Sequence, residues 1–266
     1  MMEPWSRRKF VLTSLAGSVL AGAKTLPGAA SLSETSSSRA TGSGTLPLII
    51  SSFNGVHALD KGMAILKNAG DTLDAAIAVV TVLEDDPKED SVGFGGLPNE
   101  DAEVELDASV MHGPTHRAGA VGGVRRLKNV ASLAKIVMER TNHVMLVGDG
   151  ARRFAVEEGF EEMNLLTEHS RKLWLAWKQS TAFNWRAGVD SPEWNQHLSS
   201  LFDGNAEQIV YAKQVIAHPP TGTIPCMAIN KNGDISATVS TSGMAWKIAG
   251  RVGDSPIIGA GCFVDN

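Results

Sequence analysis

Gly222-Thr223 is the pair of residues whose types and placing point most directly to chemistry. It closes a long irregular stretch and opens an apolar run, Thr223 to Asn230, that reads as a buried strand. A cut between the two leaves a threonine as a new chain end at the edge of a sheet. Such a residue is a complete catalytic unit: its hydroxyl is the nucleophile, and its freed α-amine, with a reference pKa of about 7.7–8.0, takes the proton. The same hydroxyl can make the cut. Thr223 Oγ attacks the carbonyl of Gly222, the amide becomes an ester, and water releases it. A glycine before the cut tolerates the strained backbone that an N-to-O shift needs. Arg251-Val-Gly-Asp254 adds a second pair: a guanidinium fork suited to a carboxylate, and a carboxylate suited to an ammonium, from one glycine-containing turn. Out of context, Gly-Thr is a loop pair and Arg-x-x-Asp is a salt bridge in a turn, so the surroundings have to decide.

The elements that must position these residues follow from patterning. Leu46 to Ser51 reads as a buried first strand. Val56 to Ala69 has helical spacing and stops at Gly70; Asp71 to Glu84 is a second helix, with Asp71 or Thr72 as N-cap. Val104 and Leu106 alternate with acids, which makes Glu103 to Met111 a strand. Asn129 caps a helix with Val130, Leu133, Ala134, Val137 and Met138 on one face. His143 to Val147 is a strand leading through Gly148-Asp149-Gly150 into a helix that ends at Gly159. Ser180 to Pro220, with Trp185 and Trp194, is irregular apart from one helix near Ala206 to Ile216. Thr223 to Asn230 and Ile235 to Ser240 form a hairpin across Lys231-Asn232-Gly233-Asp234. Helices grouped early and a hairpin late make an α+β sandwich, with helices outside sheets.

The 266 residues hold enough apolar material for a sizeable core. A net charge of −5, with no basic block after the N-terminus, argues against nucleic acid or an anionic membrane as the main partner. Two cysteines exclude a disulfide-built scaffold, and Cys226 and Cys262 lack the spacing of a zinc site.

The N-terminus reads as an address. Ser6-Arg7-Arg8-Lys9-Phe10 precedes an apolar stretch, Val11 to Ala23, too short to span a bilayer comfortably and ending in small residues suited to cleavage. The arginine pair resembles a bacterial twin-arginine export signal, which carries folded proteins. The expected organisation is a signal peptide over 1–30, a flexible Ser/Thr/Gly-rich linker over 31–45 and a folded domain over 46–266, exported to the periplasm with no other membrane association.

Several stretches together resemble the glycosylasparaginases (aspartylglucosaminidases), a family of N-terminal nucleophile hydrolases in the asparaginase type 2 group. They include Glu84-Asp-Asp-Pro87, Ser91-Val-Gly-Phe-Gly-Gly-Leu-Pro98, Gly119-Ala-Val-Gly-Gly123, Lys128 to Ala134, His143 to Gly150 and Asn164-Leu-Leu-Thr167. The longest is Thr241-Ser-Gly-Met-Ala-Trp-Lys247 running into Gly250 to Asn266. The resemblance covers nearly all of 46–266 except Ser180 to Pro220. It implies a four-layer αββα sandwich that cuts itself into an α chain, 46–222, and a β chain starting at Thr223, two such units forming a homodimer. The implied activity is hydrolysis of the amide between an asparagine side chain and N-acetylglucosamine, without metal or cofactor. By position the nucleophile is Thr223, and Thr241 is the second threonine that hydrogen-bonds it. Arg251 and Asp254 hold the α-carboxylate and α-amino group, and Ser91 is a pocket serine close to the cleavage site.

The chain departs from that family pattern in four places. Gly222, after Thr221, stands where the family has Asp after His; a Gly-Thr junction is usual in the related isoaspartyl peptidase/L-asparaginases. Phe53 replaces a pocket tryptophan, keeping the apolar wall and losing an N–H donor. Pro225 replaces a glycine and removes a strand N–H near the site, so a ladder bond is expected to be missing there. Relative to the family, the domain is expected to be incomplete at its C-terminus, lacking the Thr-Gly pair of the oxyanion hole. An activity-lacking homologue is therefore the alternative to a working hydrolase.

Overall fold

The structure is a computed structural model describing residues 45–183 and 191–266. The expected signal peptide and nearly all of the linker lie outside the described residues, as does Trp185.

One mixed sheet carries the architecture. Its strands are β1 (Leu48–Ser51), β2 (Glu105–His112), β3 (Arg117–Arg125), β4 (Met145–Val147), β5 (Ile224–Ile229) and β6 (Ile235–Thr241). They are ordered β1-β5-β6-β2-β3-β4. All neighbours are antiparallel except β3 and β4, which are parallel, as a connection through a helix requires. The β5–β6 hairpin turns through Asn230 to Asp234, with Gly233 at φ 90°.

Four helices cover one face: α1 (Leu59–Lys67), α2 (Thr72–Glu84), α3 (Val130–Arg140) and α4 (Gly148–Glu157). α2 lies across β5 and β6, and α3 across β2 and β3. Their apolar stripes meet Ile224, Cys226 and Ala228 of β5 and Leu106, Ala108 and Val110 of β2 in the main core. Each fully buried Leu or Val there stabilises the fold by roughly 1.5–3 kcal/mol before entropy is counted. As expected, Asp71 caps α2, accepting from Leu73 N at 2.8 Å and Asp74 N at 3.1 Å. Asn129 precedes α3 without capping it; its amide donates instead to Asp85 Oδ1.

Three features differ from the sequence reading. Phe53–Ala58, taken as partly helical, is a 3₁₀ turn that leads into α1. β3 has no obvious strand pattern because it is rich in Gly and Ala. The reason is packing: a Cβ on Gly119 would collide with Ala134 O and with Met138 of α3, so glycine lets the helix lie directly on the strand. The third is Ser180 to Pro220, whose described residues are mostly helical: they hold the end of α5 (Glu168–Phe183), α6 (Pro192–Leu201) and α7 (Ala206–Ala217). These enclose a separate cluster with Leu97, Leu173, Trp194, Leu198 and Phe202. The start of α6 is written in Ser191-Pro192-Glu193, a serine cap followed by proline in the first turn.

The face of the sheet away from α1–α4 is only partly covered. Cys262 and Val264 pack on Ala237 and Val239 of β6, while Leu48, Ile50 and Met227 remain 52, 47 and 37% exposed.

Candidate active site

Strand alternation sets the site. In β5 and β6, Ile224 pairs with Ser240, and both face the helices. The adjacent residue along each strand points to the opposite face, so Thr223 and Thr241 lie side by side there, Thr223 half-buried and Thr241 buried.

Their hydroxyls form a short chain onto the Gly222 carbonyl. Thr223 Oγ donates to Thr241 Oγ at 3.3 Å, and Thr241 Oγ donates to Gly222 O at 3.0 Å. Gly243 N–H, from the loop after β6, donates to Thr241 Oγ at 2.9 Å and fixes the hub of the chain. The Thr223 hydroxyl is thus linked through Thr241 to the Gly222 carbonyl oxygen, which already accepts a hydrogen bond. Ser91 supports this junction from below. Its carbonyl accepts from Ser242 N at 2.9 Å and its hydroxyl donates to the Glu89 carboxylate. A Cβ at position 222 would collide with Ser91 Oγ and Cβ, so with Ser91 in place the packing favours glycine before Thr223.

A cleft of about 180 Å³ opens beside these hydroxyls. Gly222, Thr223, Thr241, Arg251 and Asp254 line it, with Met244 and Gly253 among the rest. The Arg251 guanidinium lies over Gly243 and Gly253. Five of the seven residues singled out from sequence are therefore brought to one cleft. Ser91 touches the junction without lining the cleft. Phe53 is 93% exposed in the 3₁₀ turn after β1 and forms no wall of it. Pro225 costs no β5–β6 ladder bond. Its carbonyl accepts from Ser52 N, and in a strand the N and O of one residue point to the same side. The missing N–H therefore faces β1 where that strand is already turning away.

The sequence profile of the asparaginase family matches residues 50–266. The chain belongs to the asparaginase family. It is 39% identical over 221 residues to the N(4)-(beta-N-acetylglucosaminyl)-L-asparaginase of Elizabethkingia miricola, which covers 83% of this chain and 56% of that protein. The Mus musculus protein of the same name is 37% identical over 234 residues, 85% of this chain and 66% of its own length. The isoaspartyl peptidase/L-asparaginase of Rattus norvegicus is 36% identical over 213 residues, 79% and 55%. The chain thus spans between about half and two thirds of the length of these relatives, and its resemblance to glycosylasparaginases holds over most of its own.

Sequence reasoning missed the buried charges beneath this family's motif. Glu105 and Asp107 of β2, read as acids on an alternating strand, are buried, because the loop 242–255 covers that side of β2. Burial pushes Glu105 up. Arg125, the Gly250 N–H and Lys247 outweigh that and hold its carboxyl below the usual range. Lys247 is buried too; its ammonium donates to Glu105 O at 3.0 Å and Ser242 O at 3.1 Å, and burial lowers its pKa. The available signal was a pair of acids, Glu105 and Asp107, in a strand that is small and apolar from Ala108 to Met111.

On the helix side, Glu84 accepts from Ser240 Oγ at 2.7 Å and Ala131 N at 3.0 Å, while its other oxygen is buried without a partner. Burial pushes its pKa up from 4.5 to about 7. Cys226 and Cys262 are free and buried, their thiols pushed up by burial to about 12 and about 11. Among the described residues no group of three or more His, Cys, Asp or Glu could hold a metal ion, and no helix is long and apolar enough to cross a membrane.

Proposed function

We propose that this chain is a self-processing amide hydrolase that cleaves the bond between an asparagine side chain and N-acetylglucosamine. The observation that carries the reading is the hydroxyl chain Thr223–Thr241–Gly222 O at the mouth of the Arg251–Asp254 cleft. Thr223 Oγ attacks the Gly222 carbonyl carbon. Its proton passes along the Thr241 hydroxyl to the developing oxyanion; on collapse that proton is handed to the Thr223 nitrogen, the C–N bond breaks and the nitrogen leaves as a free amine, giving an ester. Water hydrolyses the ester and leaves the Gly222 carboxylate and a free Thr223 α-amine. That amine then serves as base while Thr223 Oγ attacks the substrate amide. Arg251 holds the α-carboxylate of the asparagine and Asp254 its α-ammonium; Ser91 supports the junction.

The same reading includes the finer architecture and setting. A second sheet and outer helices would complete a four-layer sandwich on the face where Leu48, Ile50 and Met227 are exposed, an apolar surface suited to such a layer. Two αβ units would form a homodimer, and the basic-then-apolar N-terminus would direct export to a bacterial periplasm.

A second reading, isoaspartyl peptidase or L-asparaginase activity, is favoured by the Gly222-Thr223 junction and by the rat relative's name. Parallel assays on N-acetylglucosaminyl-asparagine, an isoaspartyl dipeptide and asparagine decide between them. The proposal expects the glycosylated substrate to be preferred. Activity on the other two alone overturns it in favour of the second reading, and activity on none assigns the chain to the non-catalytic homologues.

A further inference from the structure

The loop that carries Arg251 and Asp254 is tied to β2 by three side chains on one face of that strand. Glu105 accepts from Gly250 N at 3.1 Å, Asp107 accepts from Gly253 N at 3.2 Å, and Ser109 Oγ donates to Ser255 O at 2.6 Å. The spacing i, i+2, i+4 puts all three on the same side. The loop bonds at 250, 253 and 255 bracket Arg251 and Asp254.

Asp107 is the middle tie and is fully buried. It sits where the β2–β3 register slips, Leu106 facing Val124 and Ala108 facing Val121, so that Gly122 and Gly123 together oppose it. This is a β-bulge, a device that bends a strand and re-aims a side chain. The N–H of Gly123, with φ 59°, donates to Asp107 Oδ1 at 2.8 Å, which leaves Oδ2 for Gly253. Gly253 in turn lies under the Arg251 guanidinium. The bulge, the carboxylate, the loop backbone and the guanidinium form one continuous stack.

We propose that Asp107 is a positioning residue that sets the separation between the Arg251 guanidinium and the Asp254 carboxylate, and so the selectivity of the site for an L-α-amino acid end over analogues lacking the α-amino group. The proposal rests on the amide-hydrolase reading above. An amide at 107 keeps the size, but one of its two ends is a donor and cannot accept from a backbone N–H; either Gly123 or Gly253 loses its tie.

The test is the Asp107→Asn protein, with Ser109→Ala as the second variant should the first not fold. Three readouts are taken: cutting at Gly222–Thr223 by intact mass, steady-state kinetics on N-acetylglucosaminyl-asparagine and its des-α-amino analogue, and calorimetric binding of L-aspartate as probe. In Asp107→Asn, self-cleavage is expected to stay within about twofold of wild type. KM and the L-aspartate Kd should rise tenfold or more with kcat little changed, and the preference over the des-amino analogue should fall by a similar factor. Ser109→Ala should move the same quantities in the same direction, by a few-fold. A uniform loss of kcat with KM, Kd and selectivity unchanged overturns the proposal, as does a D107N protein identical to wild type. A wild-type protein that neither hydrolyses the amide nor binds L-aspartate overturns the functional reading together with this one. Wild-type activity with insensitive variants overturns this one alone.

Discussion

The two faces of the sheet are built from alternate residues of the same strands, yet they solve opposite problems. On the helix face, Ile224 and Ser240 lie under α2. The polar groups there pair inside the protein, save one Glu84 oxygen: Ser240 donates to Glu84, and the Ser236 and Thr72 hydroxyls pair at 2.7 Å. Thr223 and Thr241, one residue away on the other face, leave hydroxyls at the mouth of a cleft. The lesson is that a single step along β5 or β6 separates the packed face from the cleft, so a sheet can hold a hydroxyl rigidly at a pocket's edge.

The largest effect that would sharpen this contrast is on the open face. Thr241→Val keeps the shape and removes the hub hydroxyl, and cutting at Gly222–Thr223 should slow by about 10²–10³-fold while circular dichroism stays unchanged. Cleavage at wild-type rate would remove Thr241 from the account.

On the covered face the expected effect is one of pH. Glu84, raised from 4.5 to about 7, holds its proton in the folded state after the unfolded chain has lost it. The stability it contributes is complete below about pH 4.5 and is lost as pH rises through 7, by about 3 kcal/mol in all. Urea unfolding at pH 5 to 8 should show this fall, and Glu84→Gln should flatten it. A Gln variant with the wild-type slope would contradict the assignment.

Gly222→Ala tests the boundary between the faces. Its Cβ collides with Ser91, so the change should cost about 1–3 kcal/mol of stability and slow cutting, and Ser91→Gly in the same chain should recover much of both. Additive losses in the double variant would mean that the two residues are not packed together.

The smallest expected difference compares neighbours directly. Ile224→Val, fully buried, should lose about 0.5–1.5 kcal/mol. Met227→Thr on the open face should change stability by less than about 0.5 kcal/mol. Equal losses would mean that the open face is as well packed as the covered one.

Much of this was legible in the residues. Apolar periodicity located α2, α3 and the β5–β6 hairpin, because each buries one clean face. Family motifs drew attention to Thr223, Thr241, Arg251 and Asp254, which the fold gathers at one cleft. β3 was hidden because its glycines serve the approach of α3 rather than strand propensity. α6 was hidden because only Trp194 and Leu198 of its ten residues are buried, too few to print a period. Glu105, Asp107 and Lys247 escaped because a local pattern cannot report that a loop more than a hundred residues away covers the second side of β2. Phe53 was matched by position alone, and in the 3₁₀ turn after β1 its ring is exposed and does not line the cleft.

The most direct measurement is the intact mass of the purified full chain after incubation, beside a Thr223→Ala protein. The account predicts two fragments from the former, the smaller beginning at Thr223, and a single species from the latter. A wild-type chain that stays whole, indistinguishable from Thr223→Ala, would contradict it.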